Sequence, residues 1–426
     1  MELIELLKEP SVWEGFVQYK TEQNNMHRKE LKALQKFVAE RRYEAVVEDI
    51  TSSMSLSTPV LCEVNKHGTG RKRNVFVFPE EENFVLKLLA YLLRKYDSLF
   101  EDNLFSFRAN RGVKKGIYSI LKHVDMAHAF TYKADVHDYF ISIDPDQLIA
   151  LLKETMPEEP LFIQLFEHVL NDPYAIQGNQ PVRVRKGAMP GMPVSGFFAN
   201  LYLSELDRYF AKQNIPYLRY SDDIVVFAET EEQRTAYEAV ISDILRQKGL
   251  EFNPAKVIRT APGEPIEFLG FEFQGKEIDI SDVTLKKLKA KLYRKAHKLY
   301  RWKKRTRQPD EQAVSAYIHF LNRKFYEHSS REITWARWYF PLLTKDGKLK
   351  VIDQYAALCM RYLISGHYRK TNYRLRYKTI QKLGYRSLVN SYWRFQNGEP
   401  LNREDDSEQS SDHPQTAEQT ETALPE

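Results

Sequence analysis

The chain has 426 residues, of which 42% are hydrophobic and 28% charged, a composition typical of globular proteins with room for two or three domains of about 100–200 residues. No apolar run approaches the ~18 residues of a transmembrane helix, and the acidic start of the chain argues against a secretory signal. The two cysteines, Cys62 and Cys359, exclude a disulfide framework and a cysteine-based zinc site, and they fit a cytoplasmic protein.

Charge is unevenly distributed along the chain. The net charge is +5, but residues 401–426 hold eight Asp or Glu and one Arg, which leaves +12 for residues 1–400. A basic body of this kind suggests a polyanionic partner. The last segment has too little apolar content to fold and is expected to be a disordered acidic tail.

The first part of the chain is predicted to be helical. Residues 1–60 have apolar side chains at helical spacing in a charged background. A strand–turn–strand pattern follows over 62–78 and stops at Pro79, which predicts a β-hairpin. The next segment, 83–96, places its leucines on one face of a helix.

Strands and helices then alternate. Residues 130–136 and 217–228 have the composition of buried strands, and 232–248 that of a helix. A further pair of strands is expected near 252–273. Residues 310–397 look helical and are rich in Tyr, Trp, Arg and Lys.

The segment 285–307 is both amphipathic and strongly cationic. Its apolar residues keep a helical stripe from Leu285 to Trp302, while residues 286–307 hold twelve Lys or Arg and no acid. One face is therefore expected to pack and the other to follow a nucleic-acid backbone. A solvated amphipathic helix is the alternative.

Two adjacent aspartates, Asp222 and Asp223, lie in a short turn between two apolar runs. Adjacent carboxylates repel each other unless cations lie between them, and Mg²⁺ is commonly held by carboxylates together with substrate phosphates. A solvated turn is the alternative, because Asp405 and Asp406 form a similar pair in the polar tail. The apolar flanks favour a turn at the edge of a buried sheet.

A third carboxylate, Asp135, ends a short predicted strand, and Tyr139 and Phe140 follow it. A carboxylate at a strand end can reach a neighbouring hairpin. Three such groups can hold two cations ~3.5–4 Å apart for an in-line phosphoryl transfer. The alternative role for Asp135 is to cap the turn that follows the strand.

A loop rich in Gly and Pro at 187–193 opens into an apolar helix. Glycine lets the backbone approach a ligand closely, and a helix N-terminus favours phosphate. An ordinary loop–helix junction is the alternative.

Taken in order, six segments between residues 60 and 275 resemble the reverse transcriptase family, particularly its bacterial group II intron, retron, abortive-infection and defence-associated branches. The turn at 220–223 matches the family's Tyr-X-Asp-Asp box, and 135–140 matches its first carboxylate box. The other matches are to the Gly-Phe-Arg-Pro-Gly-Arg stretch, the Gly-X-Pro-Gln-Gly box and the two boxes after the active-site hairpin, at residues 105–112, 187–200, 253–256 and 268–271.

The resemblance implies an α+β right-hand polymerase with fingers, a palm built of an antiparallel sheet plus helices, and a helical thumb. The implied domains are a helical N-terminal extension at 1–60, fingers at 61–125, a palm with some fingers elements at 126–275, a helical thumb and C-terminal extension at 276–400, and the disordered acidic tail at 401–426.

The resemblance also implies the catalytic residues. Two Mg²⁺ ions, for which Mn²⁺ could substitute, would be held by Asp135, Asp222, Asp223 and the carbonyl of Val136. Lys256 would protonate the leaving pyrophosphate or stabilise its charge.

The incoming dNTP would contact four residues in this reading: Lys66, Arg73, Phe140 and Gly191. The arginine suits bidentate phosphate contact. The Phe140 ring would be a steric gate that leaves no room for a 2′-hydroxyl. Phe140 could instead be a core residue. Lys66 and Arg73 could instead be solvated charges of the hairpin, and neighbouring Lys or Arg side chains could then make the phosphate contacts.

Nucleic acid would contact the arginine of the bacterial-type motif, the hairpin after the active site and the basic helix. The implied residues are Arg108, Phe268, Gly270, Lys287, Lys291, Arg294, Lys298 and Arg301. Aromatic and basic residues interleaved at 367–378 and 384–394 could stack on unpaired bases, or could be core. One departure from the family is Pro190, which stands where a Gln normally lies near the template and the incoming nucleotide.

The implied activity is RNA-directed DNA synthesis in the cytoplasm, from an RNA template and dNTPs to a DNA product. No segment suggests an RNase H, integrase or His-Asn-His nuclease domain, so we expect an enzyme dedicated to one non-coding RNA, similar to stand-alone antiphage defence enzymes. The alternatives are a retron or group II intron-type mobile-element enzyme, a template-independent protein-primed polymerase of abortive-infection type, and a non-catalytic RNA-binding scaffold.

Overall fold

The computed structural model describes residues 1–23, 26–65, 72–327, 334–368 and 375–401. Lys66 and nearly all of the acidic tail predicted at 401–426 lie outside these residues, as does part of the aromatic and basic segment at 367–378. The chain divides into two compact units, Met1–Glu264 and Pro265–Glu426. Among the described residues, no helix combines the length and the apolar character that a membrane crossing requires.

The predicted helices, hairpin and strands of the first unit are present, with further helices between them. In chain order the elements are α1 (Leu3–Leu6), α2 (Pro10–Gln23), α3 (Arg28–Ala39), α4 (Tyr43–Ser53), β1 (Val60–Asn65), β2 (Lys72–Val77), α5 (Glu80–Leu92), α6 (Val113–His123), β3 (Phe130–Asp135), α7 (Tyr139–Ser142), α8 (Pro145–Thr155), α9 (Pro160–Asn171), β4 (Tyr174–Gln177), β5 (Gln180–Arg183), α10 (Ser195–Tyr202), α11 (Ser204–Lys212), β6 (Tyr217–Tyr220), β7 (Asp223–Ala228), α12 (Glu231–Gln247) and β8 (Ile258–Thr260). Short 3₁₀ helices lie at Leu93–Leu99 and Pro254–Lys256.

The N-terminal helices pack through aromatic rings. Trp13 stacks on Tyr43 with ring centroids 5.0 Å apart and meets Phe37 edge-on at 5.6 Å. The carboxylate of Glu159 is buried and accepts a hydrogen bond from the Leu3 amide at 2.6 Å. A buried carboxylate needs such partners, so this contact ties α1 to the start of α9.

The first sheet, called the fingers sheet below, has the strand order β2–β1–β4–β5. Strands β1 and β2 form the antiparallel hairpin that the sequence predicts. Strand β1 also runs parallel to β4, with Val60 opposite Ile176. The fingers sheet therefore includes strands from the segment predicted as palm with some fingers elements.

The second sheet, called the palm sheet below, has the strand order β6–β7–β3–β8, and its neighbouring strands are antiparallel. In β7 every residue after Asp223 is buried, and α12 packs against β3 and β7. A strand buried on both faces reads as a continuous apolar run, which explains the unbroken sequence Ile-Val-Val-Phe-Ala in β7.

The second unit begins with a small antiparallel sheet and continues as helices. Its elements are β9 (Ile266–Phe268), β10 (Phe271–Gln274), β11 (Glu277–Ile280), α13 (Asp282–Thr306), α14 (Asp310–Phe325), α15 (Trp335–Tyr339), α16 (Gly347–Ser365), α17 (Tyr377–Lys382) and α18 (Leu388–Gln396). Residues 266–274, predicted with the palm, thus group with the C-terminal helices. The predicted basic helix is α13, whose apolar stripe is buried against α14 and α16.

Candidate active site

The three predicted catalytic aspartates meet at one end of the palm sheet. Asp135 is the last residue of β3, Asp223 is the first residue of β7, and the two are cross-strand partners. The Val136 amide donates a hydrogen bond to the Asp222 carbonyl at 3.0 Å. Ser221 has a left-handed φ of 61°, which tightens the turn between β6 and β7. The fold therefore places two distant acidic segments side by side.

The electrostatics of the cluster are those of crowded, poorly solvated acids. Burial, together with the negative charges of Asp135 and Asp223, raises the pKa of the Asp222 carboxyl to about 6. Loss of hydration and like charge both disfavour the ionised form of an acid. A cation between these groups would reverse both effects.

Two lysines already lie beside the carboxylates. Lys256 Nζ is 2.5 Å from Asp135 Oδ1, and Lys133 Nζ is 4.0 Å from Asp223 Oδ1. Opposite charges at these distances offset part of the repulsion among the acids. Lys256, the predicted partner of the leaving group, thus lies within the acidic cluster.

The donor set of this cluster fits hard divalent cations, because Mg²⁺ prefers carboxylate and carbonyl oxygens. The three aspartates are nevertheless more widely spaced than Glu267, Glu272 and Asp282, the one acidic trio among the described residues whose ligand atoms lie within 4.8 Å of one another. That trio belongs to the second unit. Lys348 Nζ lies 3.0 Å from Glu272 Oε2 and 2.8 Å from Asp282 Oδ1, so a protein cation already offsets part of its negative charge.

A buried polar network supports the catalytic turn. Arg219 in β6 is fully buried, and its guanidinium binds both carboxylate oxygens of Asp207 and the carbonyls of Asn200 and Ser221. Ser106 Oγ accepts a hydrogen bond from the Ser221 amide at 2.8 Å and donates one to Asn200 Oδ1 at 3.1 Å. This network was not predicted from the sequence, although an arginine inside an apolar strand indicates a buried charge that needs a partner.

A pocket of about 480 Å³ brings together three of the four predicted dNTP contacts. Arg73, Phe140 and Gly191 all line it. Arg73 is exposed, and the Phe140 ring is half-buried. The fourth, Lys66, lies outside the described residues.

The glycine loop joins the fingers sheet to Phe140 through backbone contacts. Gly191 has a φ of 105°, and a Cβ there would lie 2.8 Å from the Phe76 carbonyl oxygen. The Phe76 amide donates a hydrogen bond to the Pro190 carbonyl at 2.8 Å. Pro190, which stands where the family has Gln, makes this contact through its backbone. A Cβ on Gly187 would clash with the Phe140 carbonyl. The Ala188 amide donates a hydrogen bond to the Phe140 carbonyl at 2.7 Å.

Arg108 has a structural role, and its contact with nucleic acid stays a prediction. Its side chain is 5% exposed. The guanidinium binds both carboxylate oxygens of Asp97 and donates to the carbonyls of Asp97, Glu101 and Leu104. A guanidinium has five N–H donors. All five are used inside the protein in this structure.

The Phe268 ring is 2% exposed inside the second unit, and its predicted contact with a primer stays a prediction. Gly270 lies in the turn between β9 and β10 with a left-handed φ of 90°. Its carbonyl accepts a hydrogen bond from the Ser281 amide at 2.9 Å. Gly270 therefore holds the hairpin against the start of α13, and its contact with a primer stays a prediction.

The predicted nucleic-acid contacts of α13 form one stripe, called the cationic stripe below. Its residues are three or four positions apart, which places them on one helix face. Four are exposed and one is half-buried: Lys287, Lys291, Arg294, Arg301 and, half-buried, Lys298. Lys303 does not contribute, because it is buried and pairs with Asp310 at 2.7 Å.

Comparison with known families gives a match to part of the chain. The family model described as "Reverse transcriptase (RNA-dependent DNA polymerase)" matches residues 64–273. No curated protein shows significant sequence similarity to the chain.

Solved structures of telomerase are distantly similar to the chain. A telomerase from Candida tropicalis truncated from its C-terminal domain is 13% identical, with a TM-score of 0.43 over 53% of this chain and 55% of that one. The apo telomerase of Candida tropicalis is 12% identical, with a TM-score of 0.42 over 77% and 69%. Telomerase from Candida albicans in complex with a fragment of telomeric RNA is 12% identical, with a TM-score of 0.42 over 82% and 66%. The chain spans only 55% of the first of these structures.

The family match includes β3 and the turn between β6 and β7, which meet at the aspartate cluster, and also the glycine loop. The fold is α+β, with antiparallel palm strands flanked by helices. The chain therefore contains a segment, residues 64–273, that matches the reverse transcriptase family over just under half of its length.

Proposed function

We propose that the chain copies an RNA template into DNA with two Mg²⁺ ions held by Asp135, Asp222, Asp223 and the Val136 carbonyl. The observation that carries the proposal is the cross-strand pairing of Asp135 with Asp223. Oxygen ligands from two distant segments thereby share one end of a buried sheet. A rigid sheet end is a suitable support, because catalytic groups need fixed positions.

The residues of the cluster have distinct tasks in this proposal. When bound, the two cations would lower the pKa of a primer 3′-hydroxyl and stabilise the charge of the departing pyrophosphate. The palm carboxylates hold their positions through the hydrogen bond from Val136 to Asp222 and the network under Ser221. Lys256 Nζ carries a proton beside Asp135 and can donate it to a pyrophosphate oxygen.

The pocket lined by Arg73, Phe140 and Gly191 would bind the incoming dNTP. Arg73 would contact the triphosphate, with Lys66 as its predicted partner on the same hairpin. The half-buried ring of Phe140 would select deoxyribose by occupying the space that a 2′-hydroxyl needs.

The cationic stripe on α13 would bind the backbone of an RNA–DNA duplex. Its five residues lie on a single face with no acid among them. Cations in such an array displace counterions from the phosphates, so binding should depend strongly on salt.

We propose further that the template is a dedicated non-coding RNA, and that the enzyme acts in bacterial antiphage defence. This part of the proposal rests on the resemblance of residues 60–275 to defence-associated reverse transcriptases. A cytoplasmic location is consistent with the two unpaired cysteines, Cys62 and Cys359.

A pair of double variants tests the catalytic assignment. The first is Asp222→Ala with Asp223→Ala, and the matched control is Asp405→Ala with Asp406→Ala, which removes an adjacent acidic pair from the tail. We expect the first variant to lose dNTP incorporation on a primed RNA template with Mg²⁺, and the control to retain it. Undiminished DNA synthesis by the first variant would contradict the proposal.

Sequencing the nucleic acid that co-purifies with the chain separates the remaining candidates. One enriched non-coding RNA together with its complementary DNA supports the proposed role. A structured RNA encoded with a mobile element would indicate a retron or intron-type enzyme. DNA covalently attached to the protein would indicate protein priming, and no incorporation with Mg²⁺ or Mn²⁺ would indicate a scaffold.

A further inference from the structure

Phe107 is an aromatic residue in an unfavourable position. Its side chain is 60% exposed, although burial of a phenylalanine ring is strongly favoured. Its φ is 52°, in the left-handed region that bulky L-residues rarely adopt. Such outliers persist only where the surroundings over-determine them, and they cluster at functional sites.

The residues on either side of Phe107 hold it firmly. Ser106 is fully buried and bonded to the Ser221 amide and to Asn200. Arg108 uses all five of its donors within the protein. The ring of Phe107 therefore projects from an anchored backbone, and its exposure is a fixed feature of the fold.

The ring rests over a glycine on α10. A Cβ on Gly196 would come within 2.6 Å of Phe107 Cγ, a distance that side-chain atoms do not tolerate. The missing side chain of Gly196 thus makes the space that Phe107 occupies. Both residues line the same pocket as Arg73 and Gly191.

Within that pocket Phe107 contacts the proposed sugar gate. The rings of Phe107 and Phe140 are 6.0 Å apart and nearly perpendicular, at 88°. The buried Tyr139 ring lies 5.8 Å from Phe140. Phe140 is therefore held by an interior ring and by a ring in the pocket, and its carbonyl is held by the glycine loop.

We propose that Phe107 is a specificity-determining residue: it positions the Phe140 ring and thereby sets the preference for deoxyribonucleotides over ribonucleotides. This inference rests on the proposed function of the pocket. An edge-to-face aromatic pair stabilises its arrangement by roughly two- to tenfold in an equilibrium. Without the Phe107 ring, Phe140 can move aside and admit a 2′-hydroxyl.

The test compares kcat/KM for a dNTP and for the NTP of the same base in each variant. The ratio is internal to one preparation, so partial misfolding does not change it. We expect Phe107→Ala to lower the deoxyribose preference by roughly two- to tenfold, and Phe107→Tyr, which keeps the ring, to preserve it. Gly196→Ala, which displaces the ring, should shift the ratio in the same direction as Phe107→Ala.

A double-mutant cycle tests whether Phe107 affects the dNTP-to-NTP ratio through Phe140. If Phe107 acts through Phe140, then Phe107→Ala should add nothing to the ratio measured in a Phe140→Ala background. The control is Tyr174→Ala, which removes an aromatic residue of similar exposure (50%) from β4 and should leave the ratio unchanged.

The possible outcomes are distinct. A wild-type chain that incorporates neither nucleotide overturns the proposed function and this inference with it. An active wild type whose preference is the same in Phe107→Ala overturns the inference alone. An additive effect of Phe107→Ala in the Phe140→Ala background overturns the route through Phe140.

Discussion

Arg219 and Asp207 form an ion pair beneath the catalytic turn, with Arg219 Nε 2.8 Å from Asp207 Oδ1 and both side chains shielded from solvent. The same guanidinium donates to the Ser221 carbonyl at 3.3 Å. A pair in this position couples the stability of the palm to the geometry of the aspartates that follow Ser221.

Removing one member of this pair should be more harmful than removing both. Asp207→Ala leaves a buried guanidinium without its carboxylate, and we expect the free energy of unfolding to fall by about 3–5 kcal/mol. The combination of Arg219→Met with Asp207→Leu removes both charges and should lose less stability than either of these two changes made alone. Urea denaturation of Arg219→Met, Asp207→Leu and the combination measures this, and losses that simply add would contradict the coupling.

Acid should inhibit the enzyme near the raised pKa of Asp222, which is about 6. A carboxylate must lose its proton to bind a metal, so polymerisation should decline as the pH falls through about 6. Because protons and Mg²⁺ compete for the same oxygens, more Mg²⁺ should move this decline to lower pH. Rate measurements at two Mg²⁺ concentrations check the shift, and an acid limb that does not respond to Mg²⁺ would exclude this group as its cause.

The raised pKa of Asp222 also predicts how the unfolding free energy depends on pH when EDTA removes divalent metal ions. The folded chain binds the Asp222 proton more tightly than the unfolded chain, so the unfolding free energy should fall as the pH rises from about 4 to about 6. Asp222→Asn cannot ionise and should lose this component of the pH dependence. Thermal melts of both proteins across that range provide the comparison, with Asp405→Asn as a control for charge alone.

Lys256 should affect turnover more than nucleotide binding. General acid–base catalysis contributes typically 10²–10⁴-fold, so Lys256→Met should lower kcat roughly a hundredfold with little change in the KM for dNTP. Lys256→Arg can still pair with Asp135 but releases a proton poorly, so it should remain slow. Lys153→Met, which breaks a surface pair with Glu167, is the control. Full activity of Lys256→Arg would assign the role to charge rather than to the proton.

The cationic stripe should control the salt dependence of duplex binding. Each neutralised phosphate contributes about 0.9 to the slope of log K against log salt. Replacing Lys287, Lys291 and Arg294 by Gln should therefore reduce that slope by about 2–3. The control replaces three exposed lysines of α3 by Gln: Lys29, Lys32 and Lys36. A slope reduced equally by both triple variants would show that only net charge matters.

Local patterns were sufficient to predict the catalytic strand ends and the basic helix. The apolar runs around Asp222 and Asp223 indicate buried strands, whichever strands they pair with. The cationic stripe of α13 follows from the 3.6-residue periodicity of a helix. The patterns do not show which donors are already used inside the protein. Arg108 was therefore assigned to nucleic acid although five internal acceptors surround it.

Long-range partners are a second feature that local patterns do not show. Nothing near Arg219 in the sequence of β6 indicates that Asp207 on α11 is its partner, because that pairing depends on how the helix packs against the strand. The family motif shows which position Phe268 corresponds to. Whether its ring can contact a ligand depends on its burial, which the motif does not show. Phe107 lies within the segment 105–112 that matches a family motif, but neither its φ nor its exposure can be read from the sequence.

The parallel pairing of Val60 with Ile176 has a consequence for how the chain folds during synthesis. The hairpin of β1 and β2 leaves the ribosome long before its neighbour β4, and strands that pair across such distances join slowly. Until then one strand edge is open, which exposes a nascent chain to aggregation. Production of the protein should therefore benefit from slow translation or chaperones during the interval before residue 183 emerges.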